Sequence, residues 1–228
     1  MIIPTLSTLA GLSVLLALPP AAQGAPMLSR DAKCPSYLLI EARGTGEPQG
    51  PSLGFKTMNA RILATVPNGT DYPVVYPADP FNQVDVGVRD IIREINARLA
   101  DDPDTCFVLQ GYSQGATVIT ETMNQLSGAP FDAVKAAILI GDTTHKPNLD
   151  CNVDGEGGNS TKAAIGVLSA FYKGVPDSWV SKTKDICIFG DGVCDSLHGI
   201  GTTAQHFFYP FDSSVQNIGA TFAIDALQ

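Results

Sequence analysis

Ser113 stands between two glycines in the run Gly111-Tyr112-Ser113-Gln114-Gly115. A serine hydroxyl is a feeble nucleophile at neutral pH, and it attacks a carbonyl only when an adjacent base takes its proton and an acid orients that base. The surroundings fit that chemistry. Phe107, Val108 and Leu109 form a short buried-strand run before the motif, and Ala116, Ile119, Met123 and Leu126 fall at helical spacing after it. A sharp turn between strand and helix lifts the serine hydroxyl clear of its neighbours, and the flanking glycines fit because such a turn leaves little room for a nearby Cβ.

The partners must come from farther along the chain. In the strand–turn–helix arrangement the order is nucleophile, acid, histidine. The chain has three histidines, His145, His198 and His206, and all follow Ser113. His145 comes directly after a predicted strand exit and reads as a surface residue; spacing does not separate His198 from His206. Two carboxylates stand just past predicted strands, Asp191 between Cys187 and Cys194 and Asp142 after Ile138-Leu139-Ile140-Gly141, where doubly wound sheets place their sites. The oxyanion needs donors as well. The Gln114 backbone N–H follows the nucleophile at a helix start, and the early loop Arg43-Gly44-Thr45-Gly46 is a second source, with the Thr45 hydroxyl in reach. Tyr112 and Phe207, with Phe208 beside it, are candidates for contact with an acyl chain, though core packing suits them as well. Nothing in this chemistry calls for a metal or cofactor, and no Cys-x-x-Cys or paired-histidine spacing suggests zinc.

The elements that carry these residues alternate. Strands are expected at 36–42, 72–76, 107–109, 134–140 and 186–189. Helices follow Ser52 (Phe55, Met58, Ile62 and Val66 on one face), run through Val88, Ile91, Ile95 and Leu99, continue from Ser113, and close the chain over 213–227. The near-continuous apolar run Tyr37-Leu38-Leu39-Ile40 suits a strand covered on both faces. This alternation predicts an α/β fold: a doubly wound, mainly parallel five-stranded sheet flanked by helices, in a single domain over residues 31–228. The polar, Gly-rich stretch 142–166 is expected to pack as an ordered loop.

Residues 6–18 are apolar and 21–25 are small, which reads as a secretory signal peptide over residues 1–24, with a short pro-segment to 30. A net charge of −9 argues against nucleic acid and anionic membranes as partners. The expected product is an exported monomer without a membrane anchor. Asn68-Gly69-Thr70 and Asn159-Ser160-Thr161 are N-glycosylation sequons. Five cysteines in an exported chain imply disulfides with one thiol left over, and composition leaves the pairing open. Cys187 and Cys194 are close enough to clip a short loop, while Cys34 and Cys106 both open predicted strands.

Gly-Tyr-Ser-Gln-Gly at 111–115, Ala-Arg-Gly-Thr at 42–45 and Cys-x-x-x-Asp-x-x-Cys at 187–194 resemble the fungal cutinase family. Thr45 to Gly50, Trp179 to Thr183, Gly190 to Asp195 and Ala204-Gln205-His206 with Tyr209-Pro210 are similar to its yeast-type cutinase-like esterases. The resemblance covers nearly all of the chain after Cys34. It implies a lidless α/β-hydrolase with Ser113 as nucleophile, Asp191 as acid and His206 as base. It also implies an oxyanion hole from Thr45 and Gln114, disulfides Cys34–Cys106 and Cys187–Cys194, and ester or polyester substrates such as cutin, short-chain esters and aliphatic polyesters. The chain departs from the plant-pathogen members in the 11 residues between Cys194 and His206, a longer stretch than expected, so the rim of the cleft differs. Cys151 has no partner in this scheme. Acetylxylan esterase and triglyceride lipase activities fit the same fold and chemistry, and a surface-binding or elicitor protein with a vestigial triad is the non-enzymatic alternative.

Overall fold

The computed structural model describes residues 1, 34–81 and 83–228. Apart from Met1, the expected signal peptide and pro-segment lie outside the described residues.

Among the described residues a six-stranded sheet has every pairing parallel, in the order β2-β1-β3-β4-β6-β5. Its strands are β1 (Tyr37–Ala42), β2 (Gly69–Pro73), β3 (Cys106–Tyr112), β4 (Val134–Ile140), β5 (Asn152–Val153) and β6 (Thr183–Ile186). The expectation of five strands misses β5, a two-residue rung inside the ordered 142–166 stretch, because so short a strand has no periodicity to detect. Two other expectations shift. The second strand spans Gly69–Pro73 instead of 72–76, and the last spans Thr183–Ile186 instead of 186–189. β6 carries Asp185 into the interior, where an ion pair holds it, and local apolar patterning cannot register such a pair.

Central strands β1 and β3 are buried at every position. Side chains alternate across a strand, so β1 feeds two cores. Leu38, Ile40 and Ala42 pack with Val88, Ile91 and Ile95 of helix α2 (Val84–Asp101) and with Ala116 and Ile119 of α3 (Gln114–Met123). Tyr37 and Leu39 face the other way, with Met58 and Ile62 of α1 (Lys56–Thr65) and Val215 and Ala220 of α5 (Ser213–Leu227). A short helix α4 (Gly128–Ala133), not foreseen from the sequence, leads into β4. None of the described helices is long and apolar enough to cross a membrane.

Two disulfides tie the fold. Cys34–Cys106 closes 72 residues at the N-terminal ends of β1 and β3, and Cys187–Cys194 closes 7 just beyond β6. Cys151 is a buried free thiol. The Cys34 N–H donates to Leu227 O at 3.3 Å, so both ends of the described domain meet beside the first staple. The site lies at the other end of the same strands.

Candidate active site

β3 ends at Tyr112 and α3 begins at Gln114, so Ser113 alone makes the turn. It does so at φ 55°, ψ −120°, a conformation that side chains rarely adopt. Its N–H is held by Ile140 O at 3.0 Å, at the end of neighbouring β4. The two glycines have separate reasons to lack a side chain. A Cβ on Gly111 would stand 2.6 Å from Cα of Ala116, and one on Gly115 would stand 2.0 Å from Ala42 O. The first lets α3 fold back over its own strand, and the second lets it sit against the end of β1. Ser113 itself remains half-buried, reachable from solvent.

His206 Nε2 lies 2.8 Å from Ser113 Oγ. His206 Nδ1 lies 3.0 and 2.9 Å from the two carboxylate oxygens of Asp191. A carboxylate facing Nδ1 keeps the proton there, which leaves Nε2 to accept the serine proton. Asp191 and His206 are both buried. A 3-10 turn over Ala204–Phe207 presents the histidine, and Asp191 sits inside the short loop closed by Cys187 and Cys194. The Val193 N–H donates to Asp191 Oδ1 at 3.0 Å. Spacing left His198 level with His206; the structure separates them. His198 pairs instead with Asp195, at 2.9 Å, and its ring lies tilted against exposed Phe189, with centroids 4.6 Å apart.

His145 is not on the surface: its side chain is fully buried, 2.7 Å from Asp185 Oδ2. The sequence could not reveal this, because the partner lies on β6. Burial disfavours the charged imidazole, but Asp185 and Asp142 outweigh it and raise the pKa to about 9. Asp142, the rival acid, belongs to the same cluster. Its carboxylate accepts from the Thr144 N–H and hydroxyl, both at 2.8 Å, and burial with the nearby Asp185 raises its pKa to about 7.

Register places the oxyanion candidates. Ala42 pairs with Gly111, so Thr45 follows that rung by three residues on one strand and Ser113 by two on the next. Thr45 is exposed, while Gln114 is buried at the positive end of α3. One backbone segment brackets both. Ala78 O accepts the Gly46 N–H at 2.8 Å, and Asp79 O accepts from the Gln114 side-chain amide at 2.8 Å. Buried Arg43 stiffens the same loop by donating to the carbonyls of Glu47, Val74 and Tyr76. Glu47 completes it, accepting from the Gly44 and Leu53 N–H groups. Sequence reasoning missed Arg43, Glu47 and the 78–79 bracket as supports, although the buried arginine left a trace in the Ala-Arg-Gly-Thr run.

Tyr112 is buried behind the histidine. Its hydroxyl donates to His206 O at 2.6 Å, and its ring stacks on the imidazole with centroids 5.4 Å apart. Phe207, by contrast, is exposed beside His206, with Phe208 and Phe81 also presenting rings to solvent. Of the sequons, Asn68 and Asn159 are exposed, whereas Thr161 is buried and donates to Cys187 O.

The sequence model of the family described as Cutinase matches residues 33–227. A solved structure described as a novel cutinase-like protein from Cryptococcus sp. is 51% identical, with a TM-score of 0.85, covering 86% of this chain and 97% of that one. A cutinase of Monilinia fructicola is 28% identical over 210 residues, 88% of this chain and 89% of the relative. The carboxylesterase Culp1 of Mycobacterium tuberculosis is 30% identical over 198 residues, 85% and 82% of the two chains.

Proposed function

We propose a mechanism for this chain from one premise: it belongs to the cutinase family and is a carboxylic ester hydrolase. The observation that carries the mechanism is the 2.8 Å approach of His206 Nε2 to Ser113 Oγ, with Asp191 behind the imidazole.

His206 takes the Ser113 proton as Oγ attacks the ester carbonyl, and Asp191 stabilises the imidazolium that results. The oxygen that becomes negative is met by the Gln114 N–H at the positive end of α3 and by Thr45. The tetrahedral intermediate collapses, its C–O bond breaks, and the alcohol leaves with the proton carried by His206. Water then enters, His206 takes one of its protons, and the hydroxide released attacks the Ser113 ester. The acid departs, and the proton returns to Ser113.

The substrates fitting this reading are short-chain esters, cutin and aliphatic polyesters, met at a surface by a monomer. Exposed Phe207, against His206, and its neighbour Phe208 support it, because apolar groups beside the histidine favour an apolar acyl chain or polymer face. Export is part of the same reading: the apolar N-terminal run is a removable leader, the mature domain follows it over 31–228, and the disulfides suit an oxidising compartment. Asn68 and Asn159 are its glycosylation acceptors. The test compares p-nitrophenyl butyrate, tributyrin, olive oil, acetylated xylan and a polyester emulsion as substrates. Fluorophosphonate labelling of wild type and Ser113→Ala accompanies the panel. Butyrate ester and polyester turnover, with labelling lost in the variant, is the expected outcome; labelling that survives in Ser113→Ala overturns the nucleophile assignment.

A further inference from the structure

Asp191 meets one more side chain than the proposed mechanism uses. The Tyr209 hydroxyl donates to Asp191 Oδ2 at 2.7 Å, and Tyr209 is fully buried. The direction of that bond is fixed from behind. The Ile188 N–H donates to the same phenolic oxygen at 3.1 Å, so the phenolic proton is left to point at the carboxylate. Local geometry explains how one short segment delivers both partners. His206 lies in the 3-10 turn Ala204–Phe207, and Tyr209 follows two residues past its end, so both come from one short run of chain. Behind them, the Tyr209 carbonyl accepts from the Gln216 side chain of α5 at 2.8 Å, which pins the segment to the core.

We propose that Tyr209 is a positioning residue for the reaction: its hydroxyl locks the Asp191 carboxylate in the plane that His206 needs and draws off part of its charge. This rests on the Ser113–His206–Asp191 reading. Burial, and then the Asp191 charge, push the phenol far above its ordinary pKa, so it remains a donor throughout the working range. Other titratable groups stand around this pair. Tyr112 stacks on the imidazole, Asp195 is engaged by His198 and the Gly190 N–H, and Asp185 lies close enough to act on Tyr209 electrostatically. Among these, Tyr209 and His206 are the side chains bonded directly to the Asp191 carboxylate by N–H or O–H donors.

The consequence has a sign. With the Tyr209 donor gone, the Asp191 charge falls more fully on His206, which then holds its proton to higher pH. Tyr209→Phe keeps the ring and should lower plateau kcat/KM by roughly threefold to tenfold while moving the acidic limb up by about half a pH unit. Tyr209→3-fluorotyrosine, a stronger donor that conserves the packing, should move that limb to lower pH. Tyr37→Phe is the control for losing a buried hydroxyl, since Tyr37 bonds Val66 O far from the site, and its limb should not move. If the limb stays put in both Tyr209 variants, the inference is overturned. Asp191→Asn retaining wild-type activity would overturn the triad reading itself.

Discussion

A Cβ on Gly141 would stand 2.9 Å from Cε1 of His206 and 3.0 Å from its Nδ1. The imidazole therefore rests against bare backbone at the exit of β4. Gly141 also has φ 58°, a left-handed conformation that costs other residues about 1–2 kcal/mol. Gly141→Ala should combine both penalties, displacing His206 from Ser113. Steady-state kinetics should show kcat/KM reduced at least about tenfold, since misplacement of reacting groups by an ångström costs on that order or more. A thermal melt should show a smaller loss, with the fold retained. Unchanged kinetics would mean that the histidine is held elsewhere.

The two histidines left level by spacing should part in assay. His206→Ala should lose about 10⁶-fold in kcat. His198→Ala removes a half-exposed ring bonded to Asp195 and should keep most activity. Titrating both variants with p-nitrophenyl butyrate decides between them, and the reverse result would reassign the base.

The two disulfides should fail differently. Loop-closure entropy gives about 4 kcal/mol for the long Cys34–Cys106 loop and about 2–3 kcal/mol for the short Cys187–Cys194 loop. Only the second encloses Asp191. Paired serine substitutions at 34 and 106 should therefore lower Tm more while sparing kcat. The pair at 187 and 194 should cost less Tm and more kcat, measured well below the melting range.

Stability should fall as pH rises from acid to neutral. Glu41, buried on β1, has its pKa raised from 4.5 to about 7, first by burial and then by Asp71. The folded chain holds that proton more tightly than the unfolded chain. Its contribution is complete below pH 4.5 and declines until about pH 7, where the folded carboxyl ionises too. The loss is on the order of 1–3 kcal/mol. His145, raised to about 9, adds a decline of the same sign between pH 6.5 and 9. Glu41→Gln should flatten the lower part of the slope and stabilise the protein at neutral pH. Melts of both proteins across pH 4 to 9 check this; an equal slope in the variant would assign the effect to other groups.

How much of this was legible in the chain depends on distance. The elbow was, because Gly111, Ser113 and Gly115 act within five residues, and β4 and α5 were, because long apolar patterns set their bounds. β6 was misplaced because buried Asp185 owes its position to His145, 40 residues upstream. β2 was misplaced because an edge strand is half solvated, while Val74 and Tyr76, just past it, are the buried residues. In the site, residue types and order left His198 beside His206 and Asp142 beside Asp191. The structure brings His206 and Asp191 to Ser113 through contacts of Tyr112, Tyr209 and Gly141 that join separate segments of the chain.

The meeting of Cys34 with Leu227 has a practical side. Chain entry and exit share one pole of the domain, and Ser113 stands beyond the far ends of β1 and β3, about 20 Å away along the strands. A carrier protein, affinity handle or solid support joined at either end would face away from the mouth. Linking the two ends to each other and opening a surface loop elsewhere should likewise leave the reacting groups undisturbed.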